Sequence, residues 1–476
     1  MLYLSVWWVL VFIQITSGFQ LVHRHHCFQS PHQNHPSLPN RIKSMHFTNL
    51  LGPQIILHAL PPTTRRQQVS ELSLGLFGIT LTLAGTSTRT SSDYPLWGVL
   101  PLGPYKRKKS LLDVVVPNEI YTIEQKFGIL DVQVPVRMVV VVLPTGGLFV
   151  YNPLSATGEL LALVGTLTAK HGDVKHIVLG TLAIEHKAYA GVFAQKFKSA
   201  KVWVNPGQYS FPVSLPVNFL GFPQGRTKEI PRNIEDMGIE VASVFEKVEL
   251  GPYRSRDGSY GETVFYHKKL KTLLVTDVSV RISDKVPRIF DDDPAPLLYH
   301  ARNRVEDVVV DNEETRIRGW KRIVLFGLYF NPKDISILTG EEALKSRRSD
   351  INRDFYGIYP FTWPGNGSQN ESFDALKGGL LVAPILQQLI LNRHPEEVLA
   401  FADEVRKFNI ERIVSAHFDN DVRGKDLGKQ FRMSFGFLER GGVKGGMPKP
   451  LDGDMKLLKD GEVILVENGA LDPNLV

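Results

Sequence analysis

Short apolar runs bounded by turn residues follow one another through the middle of the chain, and they predict β-strands. Strands are predicted at residues 121–124, 132–143, 148–151, 176–179, 201–204, 263–266, 272–275 and 413–415. Helical spacing predicts helices at residues 159–170, 188–198, 373–392 and 395–407. A Gly146-Gly147 turn joins two of the strands, and strands then alternate with helices. This order predicts α/β layers with an antiparallel part.

The folded domain is predicted to span residues 111–440. The Pro- and Gly-containing residues 93–110 before it are typical of a linker, and residues 441–476 form a C-terminal extension. Between about 282 and 372 the pattern of strands and helices breaks, which indicates an insertion. Three successive aspartates at 291–293 resemble a cation site, but they lack EF-hand spacing and are typical of a solvated acidic turn.

Two targeting segments are predicted at the start of the chain. Residues 1–18 contain an apolar run that is too short for a relaxed membrane span, which is typical of a secretory signal peptide. Residues 19–63 are rich in His, Ser, Gln and Pro and contain no acidic residue, as transit peptides do. Phe19 is the first residue after the predicted cleavage site of the signal peptide, which follows Gly18. This junction of signal and transit peptide resembles that of algae with complex, red-derived plastids. The resemblance implies a plastid protein; the alternative is a secreted protein with a disordered pro-region.

Residues 64–92 resemble a third targeting signal. Arg65 and Arg66 precede a moderately apolar stretch at 72–85, as in a twin-arginine export signal. In a plastid, this resemblance implies the thylakoid lumen, or the lumenal membrane face if the 72–85 segment stays as an anchor. The remaining alternative is a chance Arg-Arg pair beside an N-terminal helix.

The net charge of +6 comes from this leader. The chain has 55 Lys/Arg and 49 Asp/Glu, but five of the basic residues and none of the acidic ones precede Glu71. Since the rest is close to neutral, no nucleic-acid binding is expected. The only cysteine, Cys27, also lies in the leader, so the folded part can form no disulfide and offers no thiolate to a metal.

An ordered set of segments resembles the metallo-β-lactamase fold, a four-layer αββα sandwich of two similar halves. The segments lie at residues 147–153, 176–191, 200–204, 265–277 and 412–417. With residues 299–327, they most resemble a plant, algal and cyanobacterial family of unknown function that has a degenerate form of this fold. The resemblance covers about residues 96–421, and it implies an αββα sandwich with an inserted segment.

The motifs of this fold place four residues of the chain at metal-ligand positions: Glu185, His186, Asp277 and His417. Thr181 and Ala183 stand where two further histidines would hold a first metal, and no histidine lies between His186 and His267. His267 itself is expected to be structural. The resemblance therefore implies one ion and not a pair, with Zn²⁺ or Fe²⁺ as the candidates and Mn²⁺ as a further one.

Each candidate ligand also has a structural interpretation. His186 could cap the helix that follows it, and Asp277 could form a turn at the end of a strand. His417 is followed by Asp419 and Asp421, which either orient its ring or belong to a solvated loop.

The expected function is that of a non-catalytic binding or assembly factor in the plastid, with an unknown small molecule or protein as its partner. The alternative is a mononuclear metal-dependent hydrolase, because a bound ion makes water acidic enough to attack an ester or phosphate near neutral pH. A redox role with iron stays open. Neither a phosphate-cradling Gly loop nor a nucleophile-elbow serine is present in the sequence, so the sequence leaves open whether the protein is an enzyme.

A fusion of residues 1–92 to a fluorescent protein tests the leader in a diatom. We expect plastid fluorescence, and Phe19→Ala should divert it to compartments outside the stroma. Arg65→Lys combined with Arg66→Lys should hold the fusion in the stroma, because the export receptor reads the guanidinium pair and not charge alone. Normal lumenal delivery of the double-lysine form would remove the third address.

Overall fold

A computed structural model describes residues 108–475, except 130, 210–215, 256–257, 346, 349–357 and 444. The targeting segments predicted for residues 1–92, and most of the predicted linker, lie outside the described residues. Within the described part, no helix combines the length and the apolar character that crossing a membrane requires.

The first sheet contains seven strands that lie side by side in chain order. They are β1 (Leu111–Val116), β2 (Ile120–Ile129), β3 (Val132–Val142), β4 (Leu148–Tyr151), β5 (Val174–Leu179), β6 (Lys201–Val204) and β7 (Thr227–Glu229). The first four pair antiparallel, and β4 to β7 pair parallel. Helices α1 (Gly158–His171) and α2 (Ile184–Lys196) make the crossovers between parallel strands.

The second sheet contains five strands, and two short ribbons accompany it. The strands of this sheet and of the two ribbons are, in chain order, β8 (Phe245–Ser255), β9 (Gly258–His267), β10 (Thr272–Val275), β11 (Val280–Arg281), β12 (Ser336–Ile337), β13 (Phe361–Thr362), β14 (Leu380–Leu381), β15 (Arg412–Ser415) and β16 (Val422–Arg423). The sheet order is β16-β15-β10-β9-β8, while β11 pairs with β14 and β12 with β13. β10 and β15 are parallel neighbours, so their carboxyl ends meet at one edge.

Most of the remaining helices come after β11 in the chain. The α-helices are α3 (Ile239–Ala242), α4 (Ala295–His300), α5 (Glu313–Tyr329), α6 (Gly340–Lys345), α7 (Gln369–Asp374), α8 (Pro384–Leu389), α9 (Pro395–Arg406), α10 (Leu427–Met433) and α11 (Lys456–Glu467). Single 3₁₀ turns occur at Val217–Leu220, Ile234–Met237, Arg288–Phe290, Leu391–Arg393 and Gly436–Leu438. Residues 282–372, predicted as an insertion, thus supply α5, the longest described helix.

Alternation along the strands shows how the layers stack. In β4, Phe149 and Tyr151 pack between the two sheets, whereas Leu148 and Val150 face α1 and α2. In the second sheet, Phe265, Leu274 and Val414 enter the same central core. Their neighbours Val264, Leu273 and Ile413 pack on the other face, with α5 and α9. Because successive side chains of a strand point to opposite faces, three cores separate four layers, and the predicted αββα sandwich is confirmed.

The helix predicted at residues 373–392 is wrong. The chain forms α7, which ends at Asp374, then the short strand β14, and then α8, which begins at Pro384. Gly378 adopts φ +96°, which a helix cannot contain, and Pro384 is suited only to a first turn. The strands β1 and β8 are further elements that the apolar pattern did not predict.

Gly319 lets α4 and α5 approach each other closely. A Cβ atom at this position would lie 2.0 Å from the carbonyl oxygen of Leu297 on α4. That distance is far inside van der Waals contact, and the obstacle is backbone, so one of the two helices would have to move.

Gly319→Ala should therefore destabilise the protein by about 1–3 kcal/mol, although alanine favours a helix more than glycine does. Gly165→Ala in α1 is the matched control, because nothing lies within 4 Å of its added Cβ. The control should stabilise the protein by roughly 0.5–1 kcal/mol. Urea unfolding measures both variants, and a Gly319→Ala protein as stable as the control would contradict the close helix contact.

Candidate metal centre

The structure brings the four predicted ligand residues together. Glu185, His186, Asp277 and His417 each offer one ligand atom, and these atoms all lie within 4.8 Å of one another. The Nε2 atoms of His186 and His417 are 3.3 Å apart. Oδ1 of Asp277 lies 3.1 Å from Nε2 of His417 and 3.9 Å from Nε2 of His186. All four residues are buried, with between 0% and 8% of their surface exposed.

Glu185 and His186 lie in the first turn of α2, which begins at Ile184, four residues before its predicted start. His186 is therefore part of the helix and does not precede it. The loop between β5 and α2 is held by β9 on the other sheet, because Leu182 donates its N–H to the carbonyl of Gly261 at 3.0 Å. A β-bridge between Thr181 and Glu262 adds to this connection. Thus the first half of the site is positioned by the second sheet.

Asp277 follows β10, and its turn is held by a buried carboxylate. Glu262 on β9 accepts the backbone N–H groups of Thr276, Asp277 and Val278 at 2.6, 2.9 and 2.9 Å. Burial, followed by the charge of Asp277, raises the pKa of Glu262 to about 7, while the three N–H groups oppose this shift. Asn152 supports the same turn from the end of β4, because its Nδ2 donates to Oγ1 of Thr276 at 2.7 Å.

His417 follows β15 and is held by β3 of the first sheet. Its Nδ1 lies 3.0 Å from the carbonyl oxygen of Pro135, and Val136 forms a β-bridge with it. The buried guanidinium of Arg137 donates to the carbonyl of Ser415 at 3.2 Å and to that of Phe418. Phe418 has φ +54°, so the chain turns sharply after the histidine. The two sheets therefore position the site residues reciprocally.

The pKa values of the four groups respond to burial and to one another. Burial lowers the pKa of His186 to about 3. Burial also acts to lower the pKa of His417, but the hydrogen bond and charge of Asp277 outweigh it and raise that pKa. Although burial favours neutral Asp277, His417 holds its pKa below the usual range. Burial, and then the charge of Asp277, raises the pKa of Glu185.

The hydrogen bonds of the cluster residues are incomplete. Nδ1 of His186 and Oδ2 of Asp277 are buried without a hydrogen-bond partner. Nδ1–H of His417 donates to the carbonyl of Pro135, so Nε2 of the ring faces the cluster and offers a lone pair to a metal ion when the ring is neutral. Imidazole nitrogens and carboxylate oxygens are ordinary ligands of Zn²⁺ and Fe²⁺. This buried cluster can hold a metal ion.

The other candidates do not join the cluster. His267 ends β9, where its Nδ1 accepts the N–H of Leu270 at 3.2 Å, so it stabilises a turn. Asp419 accepts the hydroxyl of Ser283 at 2.6 Å, and Asp421 pairs with Arg412. Neither aspartate orients His417, because the carbonyl of Pro135 takes that role.

The three aspartates at 291–293 do not face one another across an ion. Asp292 lies 3.8 Å from Lys109, and Asp293 lies 3.5 Å from Lys126. Asp292 and Asp293 therefore each pair with a different lysine, as expected for an acidic turn.

Sequence reasoning missed the residues that position the ligands: Arg137, Asn152 and Glu262. Two of them carried a signal, because Arg137 and Glu262 are charged residues inside apolar strands. A charge at such a position is buried only when it has partners, so it marks a site of tertiary hydrogen bonding. Asn152 adopts φ +52° after β4, which its short polar side chain tolerates.

Among the described residues, the fold and the cluster define an αββα protein with one buried group of His, Asp and Glu side chains that could hold a metal ion. The chain belongs to the family described as a domain of unknown function (DUF4336), whose model matches residues 117–437. No curated protein matches the chain.

Solved structures show a distant likeness. The DIM-1 metallo-β-lactamase is 15% identical over 37% of this chain and 73% of that chain, with a TM-score of 0.27. The Flv1 flavodiiron core from Synechocystis sp. PCC6803 is 8% identical over 69% and 61%, with a TM-score of 0.35. The flavodiiron protein from Giardia intestinalis is 11% identical over 71% and 61%, with a TM-score of 0.37. At these scores the likeness carries no argument about function.

Glu262→Gln should lower the free energy of unfolding by roughly 2–3 kcal/mol. The carboxylate accepts the three N–H groups with two oxygens, whereas an amide has only one oxygen and turns its NH₂ donor toward at least one of these N–H groups. Glu249→Gln on β8 is the control; that carboxylate is half-buried and pairs with Lys247, so its loss should cost less than about 1 kcal/mol. Urea unfolding compares the two. Equal losses would show that Glu262 does not hold the turn.

Proposed function

We propose that this protein binds one divalent ion, Zn²⁺ or Fe²⁺, through His186, Asp277 and His417. The separation of the ligand atoms carries this proposal. Metal–ligand bonds of about 2.0–2.1 Å at tetrahedral angles place neighbouring ligand atoms roughly 3.3 Å apart. The two imidazole nitrogens are 3.3 Å apart, and the carboxylate oxygen is 3.1 and 3.9 Å from them.

A single ion and not a pair suits the residues around the cluster. A second ion needs further imidazole or carboxylate donors, and the positions nearest in sequence are Thr181 and Ala183. The hydroxyl of Thr181 accepts the N–H of Ala183 at 3.1 Å, so it is engaged in the loop before α2. Ala183 has no donor atom. These residues support a mononuclear site.

We propose a binding or assembly role for the centre, because its four residues are nearly closed to solvent. Glu185 decides this point. If its carboxylate completes the coordination, four protein ligands close the site, as in structural metal centres. The proposed location is the plastid, in the thylakoid lumen or at the lumenal membrane face, and it is supported by the leader sequence alone.

Hydrolysis is the second candidate, and the position of Glu185 favours it. A metal ion would supply a water acidic enough to react near neutral pH. The carboxylate of Glu185 lies within 4.8 Å of the other ligand atoms, and burial raises its pKa. A carboxylate so placed could hold a proton from that water instead of binding the ion.

Metal analysis tests the mononuclear centre. The purified protein, loaded with Zn²⁺ and freed of excess, should retain about one ion per chain. His417→Ala should lose it, because only two ligands of the proposed set remain. His267→Ala is the matched control and should keep the ion, since that ring lies at a turn outside the cluster. An ion content of zero or two in the folded protein would contradict the proposal.

Glu185→Gln separates the two roles. If Glu185 completes the coordination, this variant should bind Zn²⁺ at least tenfold more weakly, and its Co²⁺ form should show the weaker visible absorption of a higher coordination number. If Glu185 holds a proton in hydrolysis, affinity should stay unchanged while turnover of a model phosphodiester falls. The first result supports the binding role, and the second overturns it in favour of the hydrolase.

A further inference from the structure

A polar cleft of about 350 Å³ opens along α5, in the helical layer that covers the second sheet. Arg318, Lys321 and Arg322 line it from the helix. Spacings of three and four residues place these side chains on one face of α5. Gln369, at the start of α7, lines the opposite wall. The cleft therefore gathers three cationic side chains around one polar wall.

Arg322 brings a buried guanidinium group that forms no ion pair with a carboxylate of the described residues. It is 1% exposed, and its Nη1 donates to the carbonyls of His300 and Arg302 at 3.2 and 2.6 Å. Its Nη2 donates to Oδ1 of Asn303 at 2.5 Å, and Trp363 covers its face at 4.5 Å. These acceptors are neutral, and Asp307 acts on the guanidinium charge without an ion pair, so the burial of that charge stays costly and lowers the pKa of Arg322 to about 10.

Arg318 is open to the cleft and has no partner. Among the described residues it makes no hydrogen bond and no ion pair, and its Nε is buried without an acceptor. Lys321 differs, because it already contacts Asp284 at 3.4 Å and Asn370 at 3.1 Å. Glu314 is the one carboxylate in the described lining, and it forms no ion pair with Arg318. Within the part of the chain that the structure describes, the guanidinium groups of Arg318 and Arg322 therefore form no ion pair.

Gln369 adds a second, independent signal. The residue is 6% exposed, and its Oε1 is buried without a hydrogen-bond donor. A buried acceptor of this kind costs about 1–3 kcal/mol unless a partner reaches it. A ligand in the cleft that carries a hydroxyl group could provide that donor.

We propose that this cleft binds a small phosphorylated compound that also bears a hydroxyl group. A phosphate carries a charge of about −1.5 to −2 at neutral pH, which matches the two unpaired guanidinium charges. Arg318 donates to the phosphate oxygens with its free terminal nitrogens, and Arg322 supplies the buried charge behind them. The hydroxyl group of the compound donates to Oε1 of Gln369. The site uses none of the residues of the metal centre.

Calorimetric titration of the full-length protein with inorganic phosphate and with glycerol 1-phosphate tests the cleft. Both should bind, and glycerol 1-phosphate should bind more tightly. Arg318→Gln should weaken both at least tenfold, because it removes a charged donor. Arg316→Gln is the matched control on the same helix; this residue pairs with Asp311 at 2.6 Å and should leave both affinities unchanged.

Gln369→Leu should weaken glycerol 1-phosphate but not inorganic phosphate, because only the former carries the hydroxyl. Absence of phosphate binding, or equal weakening by the two arginine variants, would overturn the proposal. Succinate that binds as tightly as phosphate would also overturn it, because the cleft would then select dicarboxylates. The metal content of each variant should stay that of the wild type, so these outcomes are separate from those for the metal centre.

Discussion

The carboxylate of Glu262 is the constraint on which the candidate site most depends. It is fully buried on β9 and accepts three successive backbone N–H groups of the turn that carries Asp277. Its backbone bridges to Thr181, in the loop that leads to Glu185 and His186. One residue therefore fixes both the loop before α2 and the turn after β10. Its burial is tolerated because three donors replace the water that an ionised carboxylate would lose.

The geometry of the site depends on both sheets, because each sheet holds site residues of the other half of the sandwich. The loop that leads to Glu185 and His186 at the start of α2 is held by β9 of the second sheet, and His417 after β15 is held by β3 of the first sheet. Arg137 crosses between them, and its charge is paired with buried Glu124 at 2.5 Å. The central core of Phe149, Phe265 and their neighbours sets the distance between the sheets. Loss of sheet packing would therefore disperse the ligand atoms even if each strand survived.

The sequence allowed the four candidate ligand residues to be predicted, but not the groups that hold them in place. The four ligand residues follow strand ends or begin a helix, and a motif at those positions can be read locally. Arg137 acts across the sandwich, 278 residues from Ser415 in the sequence. Glu262 holds the turn of Asp277 within the second sheet, and only its bridge to Thr181 reaches the other half of the sandwich. The prediction of one helix at 373–392 was wrong for a local reason, because the apolar periodicity was given more weight than the helix-breaking residues Gly378 and Pro384.

The charges of the cluster are compatible with a bound divalent ion. Two carboxylates and two imidazoles share one buried space, and burial keeps His186 neutral near pH 7. Without an ion, protonated His417 balances the charge of Asp277, and the raised pKa of Glu185 favours a protonated, neutral carboxyl group there. A divalent ion neutralises both carboxylates while the imidazoles stay neutral and offer lone pairs. Metal affinity should therefore decrease as the pH is lowered, because protons compete with the ion for the same ligand atoms. The raised pKa values of Glu185 and His417 are thereby linked to the binding of the ion.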